Sequence, residues 1–209
     1  MTLAQLRTNV RSNLSDSGIT FYDDNSINDA LQDAYNEVAA KARCITKSAT
    51  VSQVANANYY DFVSLGVTDY LGTTAIYNQS TAFWLRDDVS LRDFDRLRRD
   101  WEMWNGDCQF WAPHSLQYIA VAPVLPIIVN EQFTLWYWAA APTLSSDSSV
   151  PLVSTDMQPL LEFYATADLL ESAEEMSKSQ PYWAEYRRDL PKYKDRCVRL
   201  AAADLLLRV

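Results

Sequence analysis

The chain has 209 residues, 48% apolar and 12% aromatic, which excludes a disordered polymer and suffices for one substantial core or two small ones. Its net charge of −9 and pI near 4.6 make the surface as a whole repel nucleic acid. The four glycines, Gly18, Gly66, Gly72 and Gly106, are too scattered to form the clustered phosphate turn of a Rossmann or P-loop nucleotide binder.

The first helical signal opens at Thr2, with Gln5 three residues on as a capping box. Leu3, Leu6, Val10 and Leu14 repeat at helical spacing before a stop near Gly18. A second helix is predicted from Ser26, with Asp29 three residues on and Ile27, Leu31, Ala34, Tyr35, Val38 and Ala42 as its core face. Lys41 and Arg43 suit its C-terminal end. Two such helices cannot bury their stripes alone, so the C-terminal helices are expected to cover them.

From Ile45 to Ala139 the period changes from helical to alternating. Strands are predicted at Ile45 to Val54, Asn58 to Val63, Thr73 to Tyr77, Thr81 to Leu85, Ser115 to Val121 and Asn130 to Ala139, mostly antiparallel. A helix capped by Ser90 interrupts them, aligning Leu91, Phe94, Leu97, Trp101 and Trp104 and ending at Gly106.

The last strand sets Phe133, Leu135 and Tyr137 on one face and Thr134, Trp136 and Trp138 on the other, and Pro142 ends it. Leu144 to Pro151 then reads as a loop. A helix is predicted to start at Thr155 or Asp156, with Pro159 in its first turn and Leu160, Leu161, Tyr164, Ala167 and Leu170 buried. Pro181 is expected to open a final helix and Pro191 to kink or break it. That helix has Trp183, Tyr186, Tyr193, Cys197 and Leu200 roughly on one side. From Tyr182 to Val209 seven Lys/Arg stand against four Asp/Glu, a net +3 that leaves −12 on the preceding residues. A basic tail on an acidic body points to a different partner surface for each.

The residues offer little catalytic chemistry. His114 is the single histidine, and no serine sits in a G-x-S-x-G elbow. One His and the scattered Cys44, Cys108 and Cys197 lack zinc-ligand spacing, and the three thiols read as reduced, from a cytosol. No cofactor is expected. The acid pairs Asp23-Asp24, Asp87-Asp88 and Glu174-Glu175 read as capping and solvated groups rather than a glycosidase dyad. Arg86, Arg92, Arg96, Arg98 and Arg99 lie around Trp84, Trp101 and Trp104, but Asp87, Asp88, Asp93, Asp95 and Asp100 are interleaved with them. Asp95 with Arg99 and Arg96 with Asp100 stand at i,i+4, so a salt-bridged face, within one subunit or between subunits, is favoured over a DNA site. Arg7 and Arg11 argue against a signal peptide, and the longest apolar run, Tyr118 to Val129, is too short to span a bilayer and carries Pro123 and Pro126. Leu200, Leu205, Leu206, Leu207, Arg208 and Val209 form an apolar end that reads either as the last core turn or as a docking segment.

Several ordered segments resemble the head-to-tail connector, or adaptor, proteins of tailed bacteriophages. They are Thr2-Leu3-Ala4-Gln5-Leu6-Arg7, Ser26-Ile27-Asn28-Asp29-Ala30-Leu31, Tyr35-Asn36-Glu37-Val38, Tyr59-Tyr60-Asp61, Trp104-Asn105-Gly106, Val121-Ala122-Pro123, and Leu160-Leu161-Glu162-Phe163-Tyr164-Ala165 after Pro142. The resemblance implies a structural, non-enzymatic virion protein of the neck or tail, assembled in the host cytoplasm. It implies a ring of about twelve copies under the portal vertex, closed by head-to-tail interfaces, with DNA passing through its lumen without specific binding. Its implied partners are further copies, the portal protein, and a tail nozzle or tail completion protein or tail fibres, with no membrane. The C-terminal segment is implied to reach the portal through Leu200, Leu205, Leu206, Leu207, Arg208 and Val209. Arg96, Arg99, Asp95 and Asp100 are candidates for subunit-subunit salt bridges. The expected fold is α+β: an antiparallel helical bundle from residues 1–44 and 143–209, with a mostly antiparallel β module inserted at 45–142. Two other classes stay open, a tail accessory protein with cell-wall hydrolase activity and a nucleic-acid-binding module.

Overall fold

The computed structural model describes residues 1–16, 21–87, 89–115, 118–124 and 132–206. The fold is α+β and divides into two compact units, one of residues 1–45 with 140–209 and one of residues 46–139.

In the first unit, α1 (Leu3–Leu14) begins at the expected capping box: the Thr2 hydroxyl accepts from the Gln5 amide, and the Gln5 side chain accepts from the Thr2 amide. It ends earlier than expected, at Leu14, where Ser15 turns into the left-handed region at φ 56° and its amide reaches back to the carbonyls of Arg11 and Ser12. The cap of α2 (Asp24–Ala42) is Asp23, whose carboxylate accepts the Ser26 amide at 2.7 Å. The expected start at Ser26 is thus corrected by three residues, because an ionised cap one turn earlier satisfies that amide. All six predicted core residues of α2 are buried.

Thr155–Met157 forms a short 3-10 turn that leads into α4 (Gln158–Ser172), and α5 runs without interruption over Met176–Leu206. The final helix expected to open at Pro181 starts earlier, at Met176, and one 31-residue helix contains both prolines, so the chain does not break at Pro191. Each proline forfeits one backbone bond, and packing of the first half of α5 on α4 offsets the loss. α4 contacts α1, α2 and α5. Asn9 donates to Glu162 at 2.8 Å and Asn13 to Thr166 at 3.4 Å, so α1 runs parallel to α4. Trp183 meets Glu171 near one end of α4 and Tyr193 meets Asp156 beyond the other, so α5 runs antiparallel to it. The loop before α4 is held by α2: the Leu144 amide donates to Gln32 at 2.8 Å and the Leu152 amide to the Tyr35 hydroxyl at 2.7 Å.

In the second unit, β1 (Thr46–Ser52), β3 (Tyr70–Asn78), β4 (Phe83–Trp84) and β7 (Gln132–Ala139) form an antiparallel sheet in the order β1-β7-β3-β4. β2 (Tyr59–Asp61), β5 (Phe110–Pro113) and β6 (Tyr118–Ala122) form a second antiparallel sheet, β2-β6-β5. β5 escaped the sequence reading, because Phe110 to Pro113 is short and lacks a polar alternation. Phe133 and Leu135 of the first sheet face Tyr60 and Ile119 of the second, with the Tyr60 and Phe133 rings 5.8 Å apart. The expected helix from Ser90 to Gly106 shortens to α3 (Leu91–Leu97) and a 3-10 turn at Trp101–Met103. Phe94 and Trp101 from these pack on Ala112, Ala120 and Ala122, whose small side chains admit the large rings.

At the end of α1, Arg11 donates to the Tyr22 carbonyl at 2.9 Å, to Asp24 at 2.6 Å and to Asp16 at 3.4 Å. The Asp16 side chain is only 3% exposed and also accepts the Phe21 and Tyr22 amides. Removing the guanidinium takes away the cation that faces this buried carboxylate. Arg11→Ala is expected to lower unfolding free energy by about 3 kcal/mol in urea titration, with about 1 kcal/mol regained when Asp16→Asn is added.

Candidate interaction surfaces

The outer half of α5 is held through one short stretch. Tyr193 donates its hydroxyl to the Asp156 carbonyl at 2.6 Å, Arg196 pairs with the Asp156 carboxylate, and Cys197 lies 3.8 Å from the Met157 sulfur. Beyond that anchor Val198 is 40% and Leu200 59% exposed. Leu205 and Leu206 close α5, while Leu207, Arg208 and Val209 lie outside the described residues.

A second surface is built where α2, α4 and α5 meet. The rings of Tyr164, Trp183 and Tyr186 stand edge-to-face, with centroids 5.1 to 5.9 Å apart. Acids border them at helical spacing: Asp33 and Glu37 one turn apart on α2, Asp168 and Glu171 one turn apart on α4. Lys41 compensates Glu37, and Glu171 accepts the Trp183 indole N–H at 2.8 Å. Asp33 and Asp168 have no ion-pair partner among the described residues. Burial, then the charges of Asp33 and Glu171, hold the Asp168 carboxyl above its ordinary value. Burial, then the charges of Glu37, Asp168 and Asp33, raise the Tyr164 phenol in the same way. The Tyr186 hydroxyl is buried without a hydrogen-bond partner among the described residues, and its phenol is raised by burial and then by Glu37. Sequence reading missed this surface because its members are more than a hundred residues apart in the chain. The like-charge pairs at i,i+4 and i,i+3 were the available signal.

The arginine-rich segment is arranged differently from the expected i,i+4 pairs. α3 ends at Leu97, so residues 96 and 100 do not share a helix, and Arg96 pairs with Asp93 at 3.2 Å. Asp100 pairs with Arg98 at 2.7 Å, and Asp95 accepts the Trp101 indole N–H at 3.1 Å. Asp95, Arg99 and Asp100 line one shallow depression with Trp101, Glu102 and Met103. The single histidine, His114, is exposed and stacks beside Tyr59 with ring centroids 4.9 Å apart. A hydrogen bond joins the Tyr59 hydroxyl to Glu102 at 2.8 Å, and burial and this bond push its pKa up to about 12. Among the described residues no group of three or more His, Cys, Asp or Glu could hold a metal ion, and no described helix is long and apolar enough to cross a membrane. None of the three cysteines forms a disulfide among the described residues.

An exposed, partly apolar helix end and an uncompensated acidic surface are features of a protein that binds other proteins. The family model of the SU10 adaptor protein matches residues 1–204, nearly the whole chain. The chain belongs to this family. No curated protein matches the sequence. As an SU10 adaptor it is a phage adaptor and a virion component, one that interacts with other head and tail proteins in a structural role.

The raised pKa of Asp168 fixes the sign of its pH effect. The folded chain binds that proton more readily than the unfolded chain, so the group favours folding below its ordinary value of 3.8 and the benefit is lost as pH rises past it. Asp168→Asn is therefore expected to raise Tm at pH 7 by about 1–2 °C, with the difference shrinking as the pH approaches the ordinary carboxyl value. Thermal melts across a pH series measure this.

Proposed function

We propose that this adaptor forms a ring of about twelve copies beneath the portal vertex, extends the DNA channel and joins the phage head to the tail. The observation that carries this reading is α5, a 31-residue helix whose outer half continues past the Tyr193–Cys197 anchor with Val198 and Leu200 exposed and an apolar sequence still to follow. Apolar side chains held out on a helix are a docking element, and a permanent assembly is where their burial outweighs the ordering cost. Leu200, Leu205, Leu206, Leu207, Arg208 and Val209 dock on the portal. Residues 1–44 and 143–209 supply the ring and the portal contact, and residues 45–142 face the tail nozzle, tail completion protein or fibres.

Large head-to-tail interfaces close the ring. Arg96 and Asp100, with side chains 69% and 57% exposed, are open to partners in the next copy, as are Arg99 and Asp95 beside them. A net charge of −9 suits a channel lining, since like charge keeps passing DNA from adhering. The adaptor is assembled in the host cytoplasm and stays in the neck of the virion.

A chain truncated after Arg199 tests the docking step. It is expected to keep its fold by circular dichroism yet to lose co-assembly with the portal in electron micrographs and sedimentation. Rings formed on the portal by the truncated chain as readily as by the full chain would overturn the docking assignment.

A further inference from the structure

The acidic surface of the helical unit has an energetic cost that the isolated chain does not recover. Asp33 and Asp168 face each other across α2 and α4 with no cation paired to either among the described residues, and Glu171 adds a third negative charge one turn from Asp168. Beside Glu171, whose carboxylate takes the Trp183 indole N–H, lies an aromatic floor of Tyr164 and Trp183, both only partly buried, and next to it the Tyr186 hydroxyl is buried with no hydrogen-bond partner among the described residues. Arg187 rests over Trp183 at 5.8 Å from the ring centroid, which shows that the floor accepts a cationic group, but it forms no ion pair with these acids. Carboxylates around exposed aromatic faces form a receptor for a basic side chain carried with apolar surface.

The complementary surface is on the same chain. The outer half of α5 exposes Lys194 and Arg199, neither in an ion pair among the described residues, with Val198 exposed between them. Lys194 and Val198 are one turn apart and share a flank of the helix. This segment belongs to the stretch of net charge +3, against −12 on the rest of the chain.

We propose that Asp33, Asp168 and Glu171 of one copy receive Lys194 and Arg199 of a second copy, with Val198 set against the aromatic floor. Donor and acceptor are different patches of one chain, so the contact is heterologous and repeats from copy to copy, as a ring requires. It rests on the ring reading above and names which surfaces meet. It also gives the acid cluster its reason: charges that repel within one copy are neutralised by the next.

The test uses the full chain assembled on its portal. Asp33→Lys with Asp168→Lys, and separately Lys194→Glu with Arg199→Glu, are each expected to lower ring assembly about tenfold, since each places like charges against each other. Mixing the two variant chains restores opposite charges at every contact of an alternating ring and recovers assembly, and combining all four changes in one chain does the same with the sign of the pair inverted. Thermal melting of each free variant reports on the fold, and Asp33→Asn with Asp168→Asn serves as a milder pair, expected to melt higher than the wild type while assembling less well. Oxidation of assembled rings carrying Asp168→Cys and Lys194→Cys is expected to yield a ladder of covalently linked copies. Normal rings from both charge reversals, or failure of the four-change chain to recover while its fold is intact, overturn this contact and leave the ring standing. Absence of rings from the wild-type chain on its portal overturns the ring reading and this contact together.

Discussion

The helical unit depends on the burial of α4. Leu160, Leu161, Ala165, Ala167, Leu169 and Leu170 are all buried, and even Gln158 and Thr166 are covered by neighbours. A helix apolar on most of its circumference has to be enclosed by partners. α1, α2 and the first half of α5 are those partners, which is why residues from both ends of the sequence meet in one core. The polar contacts then set how the neighbours lie. Gln158 takes the N-terminal ammonium at 2.6 Å, Asn9 and Asn13 fix the register of α1, and Trp183 fixes that of α5. Because α4 carries Tyr164 of the aromatic floor and two of the four acids, Asp168 and Glu171, the same packing that makes the core also presents the charged surface.

Much of this was legible from periodicity. Five of the six predicted strands overlap observed ones with bounds shifted by a few residues, and the sixth, Thr81 to Leu85, shrinks to the two residues of β4. The inward set of β7, Phe133, Leu135 and Tyr137, is buried while its other face is half-exposed. Where the reading departed from the structure, a local rule met a tertiary one. Proline punctuation suggested that a helix starts at Pro181, yet packing on α4 holds α5 helical through it. The segment after Ser90 has helical spacing throughout, but Arg98 adopts an extended backbone at φ −159°, which frees Trp101 to turn onto the alanines of β5 and β6. Spacing alone encodes neither event, because both depend on what lies across the fold. The acid cluster was illegible for the same reason, since two like-charge helical pairs mean little until the helices are known to be neighbours.

Charge placement separates the parts of the surface that serve the fold from those that do not. Arg7 and Arg11 are tied to Asp147, Asp16 and Asp24, and Asp69 is tied to Lys47, so within each unit many charges are spent on holding loops to helices and strands. On α5 the pattern divides along its length. Arg188, Glu185, Asp189 and Lys192 satisfy one another, and Arg196 binds Asp156, whereas Lys194 and Arg199 stay uncommitted. Exposed pairs of this kind contribute little to stability, so their local closure mainly removes charges from competition for partners. Among the described residues Asp33 and Asp168 on one surface and Lys194 and Arg199 on another form no ion pair.

The outer half of α5 brings these strands of argument together. An isolated helical extension is marginal in water unless its faces are covered, and among the described residues the outer half of α5 is anchored at Tyr193, Arg196 and Cys197. A segment kept only for the stability of its own chain would end near that anchor or turn its apolar residues inward. Instead Val198 and Leu200 face solvent, and the sequence that follows is apolar except for Asp204 and Arg208. Under the proposed docking, part of the folding free energy is deferred to assembly, when a partner covers the exposed side chains of the outer half of α5.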